Sequence, residues 1–195
     1  MEAKLDNLIA QSWEKLHQAK QGKAGNRYIT VCNFAESYPN AYTVVLREVL
    51  SDEHHIIFHT DIRSEKVAEI KSNTSLSVVY YDDTDRIQII LKAEAAIHHQ
   101  DDIAKQHWQQ SGFKSRRNYL TQQAPSSPLP EESSGLEYLG DKKFDDSDPA
   151  GYENFAVVAL HVNILEYLQL NHEGNRRARF KADQQNGWIG EWITP

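Results

Sequence analysis

A single cysteine and a single methionine stand among 195 residues. Cys32 alone can form neither an intrachain disulfide nor a thiolate metal cluster, so the chain reads as a protein of the reducing cytoplasm. It lies in an apolar strand reading with no local base implied, and the thiol reads as a small buried hydrophobe rather than a nucleophile. Long apolar runs are missing as well. No stretch approaches the roughly 20 residues of a membrane helix, and residues 2–21 carry an amphipathic face of Leu5, Leu8, Ile9, Trp13 and Leu16 instead of a secretory signal. Positive charge is short: 21 Lys and Arg face 28 Asp and Glu, a net charge of −7, which leaves no basic footprint for nucleic acid. The Ser-rich residues 126–134 hold no nucleophile elbow. His98, His99, Asp101, Asp102 and His107 have metal-ligand chemistry but match no standard spacing. Asp101 and Asp102 read as acids at a helix start, so no metal is expected.

What is present is a chain that is 39% hydrophobic, enough for one domain over 1–195. After the helix at 2–21, the period changes from helical to alternating. Strands are predicted at 27–33, 41–49, 54–60, 75–82 and 86–98, rich in Val, Ile, Thr and Tyr. Asp82–Asp85 and Ser51–Glu53 serve as turns. Helical spacing returns at 101–112 and again, briefly, at 115–123. Residues 124–151, with their prolines, serines and acids, read as a long irregular loop. Strands follow at 154–171, 176–182 and 188–193. The order argues for a mainly antiparallel sheet closed into a barrel, with flanking helices.

The most informative stretch is Phe58 to Ile70. A strand passes there into a short helix, and Arg63, Ser64 and Lys66 stand at its start. Unpaired N–H groups and the positive end of the helix dipole favour an anion at such a place, and the two cations would add full charges.

Several segments, in order, resemble the pyridoxamine 5'-phosphate oxidase-like FMN-binding split-barrel superfamily, and especially its smaller oxidase-related branch. They are Tyr42 to Arg47, Thr60 to Lys66, Arg86 to Glu94, Trp108, Ser115 to Tyr119, Ile164 to Leu170, Arg176 to Phe180, and Trp192 to Pro195. The resemblance implies a six-stranded Greek-key split β-barrel, dimerised so that FMN lies at the subunit interface. It implies that Tyr42 stands at the start of the cofactor strand, that backbone groups of Thr43, Val44 and Val45 meet the flavin, and that Arg47 lies near its ring. His59 and Thr60 would lie against the cofactor. Ser64 and Lys66 match phosphate-holding positions, with Arg63 in the same turn. Arg86 and Gln88, and the Gln122–Gln123 pair, would reach the cofactor too, often from the partner. Arg177 and Arg179 fall near the substrate clamp.

The departures are specific. Tyr42 replaces the arginine that opens the oxidase strand motif, and Glu65 replaces a phosphate-side cation. The Arg-x-His substrate clamp becomes Asn175-Arg176-Arg177, and the ring-stacking Trp becomes Leu168. The expectation is therefore an FMN-dependent oxidoreductase on an undetermined small molecule rather than a pyridoxamine phosphate oxidase, with no catalytic side chain assigned. The alternatives are a non-catalytic module carrying flavin or another phosphate ligand, and a barrel dimer that has lost its cofactor.

Overall fold

Alternation along the strands decides which face is buried. In β1 (Tyr28–Phe34), Ile29, Val31 and Asn33 point inward while Tyr28, Thr30, Cys32 and Phe34 point out. The structure, a computed structural model, describes residues 2–22, 27–140, 149–183, 185 and 187–195. The remaining elements are α1 (Glu2–Lys20), β2 (Pro39–Leu50), β3 (His55–Asp61), α2 (Glu65–Ser72), β4 (Ser75–Asp82), β5 (Ile87–His98), α3 (Asp102–Gln110), α4 (Phe113–Arg117), α5 (Pro149–Asn154), β6 (Phe155–Gln169), β7 (Arg176–Ala182) and β8 (Trp188–Ile193).

All eight strands join one antiparallel sheet in the order β3-β2-β1-β4-β5-β6-β7-β8, and a further β3–β6 pairing closes the first six into a barrel. β7 and β8 extend the sheet beyond the closure. Inside lie fully buried Ile56, Phe58, Val78, Ile89, Leu91 and Leu160. Trp13, Leu16 and Ala19 of α1 join that core. A second, smaller cluster forms on the outside of β3 and β6, where Ile57, Phe155 and Val157 meet Ala104 and Trp108 of α3. Gly151 is needed there, because a Cβ would stand 2.9 Å from Trp108 Cη2. Among the described residues, no helix is long and apolar enough to cross a membrane.

Strand limits match the sequence reading within a residue or two, and three expectations need correction. The helix expected at 115–123 starts at Phe113 and ends at Arg117, with one tight turn at Asn118–Leu120. Beyond that turn, Arg63 Nη1 donates to the Thr121 carbonyl at 3.0 Å, and Pro125 has no N–H to offer it in a continued helix. The loop expected over 124–151 is irregular from 124 to 140 apart from a turn at Glu137–Leu139, but its end belongs to α5, and 141–148 lie outside the described residues. Cys32 is half-buried and faces outward, because β1 alternation turns its even-numbered positions away from the core.

Candidate functional site

The β3–α2 corner puts each polar group to a definite use. Ser64, at the start of α2, is extended (φ −70°, ψ 146°) and makes no side-chain bond to its helix. Its hydroxyl donates to the Asp61 carbonyl at 2.7 Å and lies 3.3 Å from Thr60 Oγ1. Arg63 is pinned. Its Nε and Nη2 donate to the two Asp61 carboxylate oxygens at 3.0 and 2.7 Å, and its Nη2 also reaches Thr121 Oγ1 at 3.0 Å. This bidentate pair makes Arg63 a clamp on the chain following α4 and leaves it little free charge for a ligand.

Lys66 differs. Among the described residues no carboxylate lies within ion-pair distance of its ammonium, which sits 4.9 Å from the centre of the Tyr42 ring. Burial lowers its pKa against the opposing pull of Asp61, Glu69 and Glu65. The Tyr42 hydroxyl is buried without a hydrogen-bond partner. Burial, then Glu69, pushes its pKa well above the usual value, so it stays a neutral donor. Glu69 itself is held by the Asn33 and Asn40 amides at 2.8 and 3.1 Å.

β2 supplies the second half of the site. Its pairing with β3 runs from Leu50↔His55 to Leu46↔Phe58, with a bulge at Arg47, and goes no further. Leu46 N–H bonds toward β1, to Arg27 O at 2.8 Å, so by alternation the backbone groups of Val45 and Thr43 point to the opposite edge, where no strand pairs with them. Val44 bonds toward β1. The β2–β3 ladder therefore stops at Leu46 and leaves a seam beyond it, and Arg47, beside that seam, has a buried Nε with no partner.

His59 faces the same region. Its Nε2 is 3.2 Å from His107 Nδ1, and His107 Nε2 is 3.4 Å from Glu48 Oε2. Burial, then Arg47 and His107, pushes the His59 pKa down to about 3. Burial also lowers His107, with Glu48 opposing. Arg47, Glu48, His59 and His107 line a cleft of about 210 Å³ with Lys20 and residues 110–112. On the other side of the corner, Thr60, Asp61, Tyr119, Gln122 and Gln123 help to line a cavity of about 530 Å³.

The remaining expected residues lie elsewhere. Gln88 pairs with Leu168 at one end of β6, while His59 pairs with Val157 near the other. By the other way round the barrel, β2, β1 and β4 intervene. Outward side chains on a closed barrel diverge, so one protomer does not bring both sets onto one ligand. Arg86 is exposed at the β4–β5 turn with φ 53°, its Nη1 3.0 Å from His172 Nε2. Arg177 Nη2 and Arg179 Nε donate to the buried Glu166 carboxylate at 2.6 and 3.0 Å. Burial alone would raise the Glu166 pKa, but these two bonds hold it below the ordinary value.

Sequence reasoning missed Glu48, Asp61, Tyr119 and Glu166, and took His107 only as a metal candidate. Among the described residues no group of three or more potential ligands could hold a metal ion. His98 bonds to Asp101, which caps α3 through the Ala104 N–H at 2.8 Å, and His99 bonds to the Glu153 carbonyl at 2.8 Å. Register held one usable signal: Glu166 stands opposite Arg179 on the next strand.

A closed six-stranded barrel whose β2–β3 ladder stops short, with an unpaired cation and orphaned donors beside that seam, has the split-barrel fold. Residues 4–99, just under half of the chain, match the family described as pyridoxamine 5'-phosphate oxidase, FMN-binding domain, and over that stretch the chain is similar to it. Solved structures of similar fold include a pyridoxamine 5'-phosphate oxidase-related, FMN-binding protein from Nostoc punctiforme PCC 73102, at 22% identity over 97% of this chain and 95% of that one, TM-score 0.73. Another is PhzG from Burkholderia lata 383, solved with tetrahydrophenazine-1-carboxylic acid, at 15% identity over 96% and 92%, TM-score 0.74. A third, from Clostridium acetobutylicum, is related to general stress protein 26 of B. subtilis, at 14% identity over 88% and 97%, TM-score 0.55. None of the curated proteins matches the chain.

Proposed function

We propose that the protein holds FMN in the β2–β3 seam and acts as an oxidoreductase on a small molecule, as a homodimer with two shared sites. One observation carries the reading: Tyr42 Oη and Arg47 Nε are buried polar atoms without partners, on the strand whose outer edge is unpaired. Orphaned buried donors are costly and ask for an acceptor. An FMN phosphate fits Lys66, the Tyr42 hydroxyl and the first N–H groups of α2, and the carbonyl-rich ring fits Arg47 and the free backbone groups of Thr43 and Val45. Bound FMN supplies two-electron redox chemistry, and the protein supplies orientation and electrostatics.

Two observations support the second copy. Arg86 and Gln88 cannot converge with Arg47 within one protomer. The outward face of β1, β4 and β5 carries Thr30, Val79 and Ile90 in register, flanked by Tyr28 and Tyr81 at 53% and 41% exposure. A closed two-fold pair would cover that face and bring Arg86 and Gln88 of the second copy to the seam.

Titration of FMN into the protein, followed by fluorescence quenching, tests the site, and light scattering tests the assembly against twice 22.4 kDa. Absence of binding overturns the reading, and a monomer that holds FMN overturns the shared site. Exposed Glu65 at the helix start favours a second reading, a non-catalytic flavin carrier. Bound FMN that neither NADH nor NADPH bleaches would support the carrier over the oxidoreductase.

A further inference from the structure

Three side chains from three separate elements form one chain of contacts: Glu48 on β2, His107 on α3 and His59 on β3. Their polarity can be read from the end that has no choice. An ionised carboxylate only accepts, so an N–H of His107 faces Glu48, and that nitrogen is Nε2. A neutral imidazole has a single N–H, so His107 Nδ1 is bare and must accept from His59 Nε2–H, 3.2 Å away. His59 Nδ1 is then bare as well. Among the described residues it makes no hydrogen bond, and the Phe155 ring packs edge-on against the imidazole at 4.8 Å.

We propose that Glu48 and His107 are positioning residues that fix His59 in the Nε2–H tautomer, so that its Nδ1 lone pair receives a ring N–H of the bound cofactor while Arg47 donates to the carbonyl beside it. The inference rests on the FMN reading and adds to it the ligand edge that is recognised. An acceptor next to a donor matches an imide or lactam edge, in which N–H and C=O are adjacent, and the isoalloxazine ring carries such an edge at N3. His59 and Arg47 line the same cleft and come from adjacent strands at the bulge. The other charged groups lining that cleft are Lys20, a cation with no lone pair to offer an N–H, and Glu48, whose Oε2 is turned to His107 Nε2.

Two measurements test it. Two-bond 1H–15N spectra of the histidine-labelled protein at pH 7, without added flavin, should show both His59 and His107 protonated at Nε2; a proton on His59 Nδ1 overturns the proposal. Titration with FMN and with its N3-methyl analogue should then show at least tenfold preference for FMN. That preference should collapse in His107→Leu and persist in His107→Gln, whose amide oxygen can still accept from His59 Nε2–H. Equal affinity of the parent for both flavins overturns this inference and leaves the FMN reading standing. Binding of neither removes both.

Discussion

Two regions of this barrel carry arginine or lysine where a resemblance to phosphate-handling enzymes would look for it, and they use their cations in opposite ways. On β7, Arg177 and Arg179 converge on one buried carboxylate, Glu166. At the β3–α2 corner, Arg63 is engaged by Asp61, but Lys66, three residues on, has only the face of Tyr42. Charge counts in the two segments are similar, and charge available to a ligand is not. A cation already paired and hydrogen-bonded must lose that partner before it binds another. The corner therefore keeps a cation free of any carboxylate partner, and the β7 face is a structural clamp between two strands.

The largest expected effect follows from the clamp. With FMN bound and air as oxidant, formation of pyridoxal phosphate from pyridoxamine 5'-phosphate is expected to run roughly 100-fold or more below a genuine oxidase, since the groups that should orient the substrate are engaged elsewhere. Comparable turnover would mean that Arg177 or Arg179 leaves Glu166 when substrate arrives. Next in size, Glu166→Ala should cost about 2–3 kcal/mol in urea unfolding, because it strands two partly buried guanidinium groups. A change within about 0.5 kcal/mol would mean that the clamp is ornamental.

Lys66→Ala should weaken FMN by about 1–2 kcal/mol, the value of one charge-assisted bond, and leave riboflavin unchanged because it has no phosphate. An equal loss for both flavins would move Lys66 away from the phosphate. Glu65→Arg should tighten FMN relative to riboflavin by about 0.5–1 kcal/mol, as expected for reversing a charge at a helix start. A separate effect is on pH. His59 has a folded-state pKa of about 3 against an ordinary 6.5, so the stability tied to its neutral form is present above 6.5 and is lost as pH falls toward 3. Thermal unfolding between pH 7 and 4 should show a shallower decline for His59→Gln than for the parent; parallel curves would mean that His59 is not kept neutral by the fold.

Why some of this was legible and some was not follows from range. Ile29 and Val31 alternate with polar neighbours, and such a period needs only local information, so strands and their faces could be read directly. The Phe58–Ile70 corner was legible because a strand and a helix start are adjacent in the chain. Availability of charge was not legible, because it depends on side-chain geometry: Asp61 reaches around a turn to Arg63, and Glu166 reaches across a strand. The His59–His107 contact spans 48 positions and exists only because α3 packs back over β3. Tyr42 was visible as a departure from the oxidase pattern, but that its hydroxyl is left unsatisfied required the packing around it.

The bulge at Arg47 has a further consequence, for a protein without its cofactor. By ending the β2–β3 ladder early, it creates an edge within the barrel itself, in addition to the one β8 presents at the end of the sheet. Unpaired groups of Thr43 and Val45 offer a template to any extended segment, including one from another copy. Whatever fills the seam also shields it from strand invasion. Preparations stripped of flavin should thus be the ones that aggregate on storage, and solubility over days becomes a readout of occupancy independent of colour or turnover.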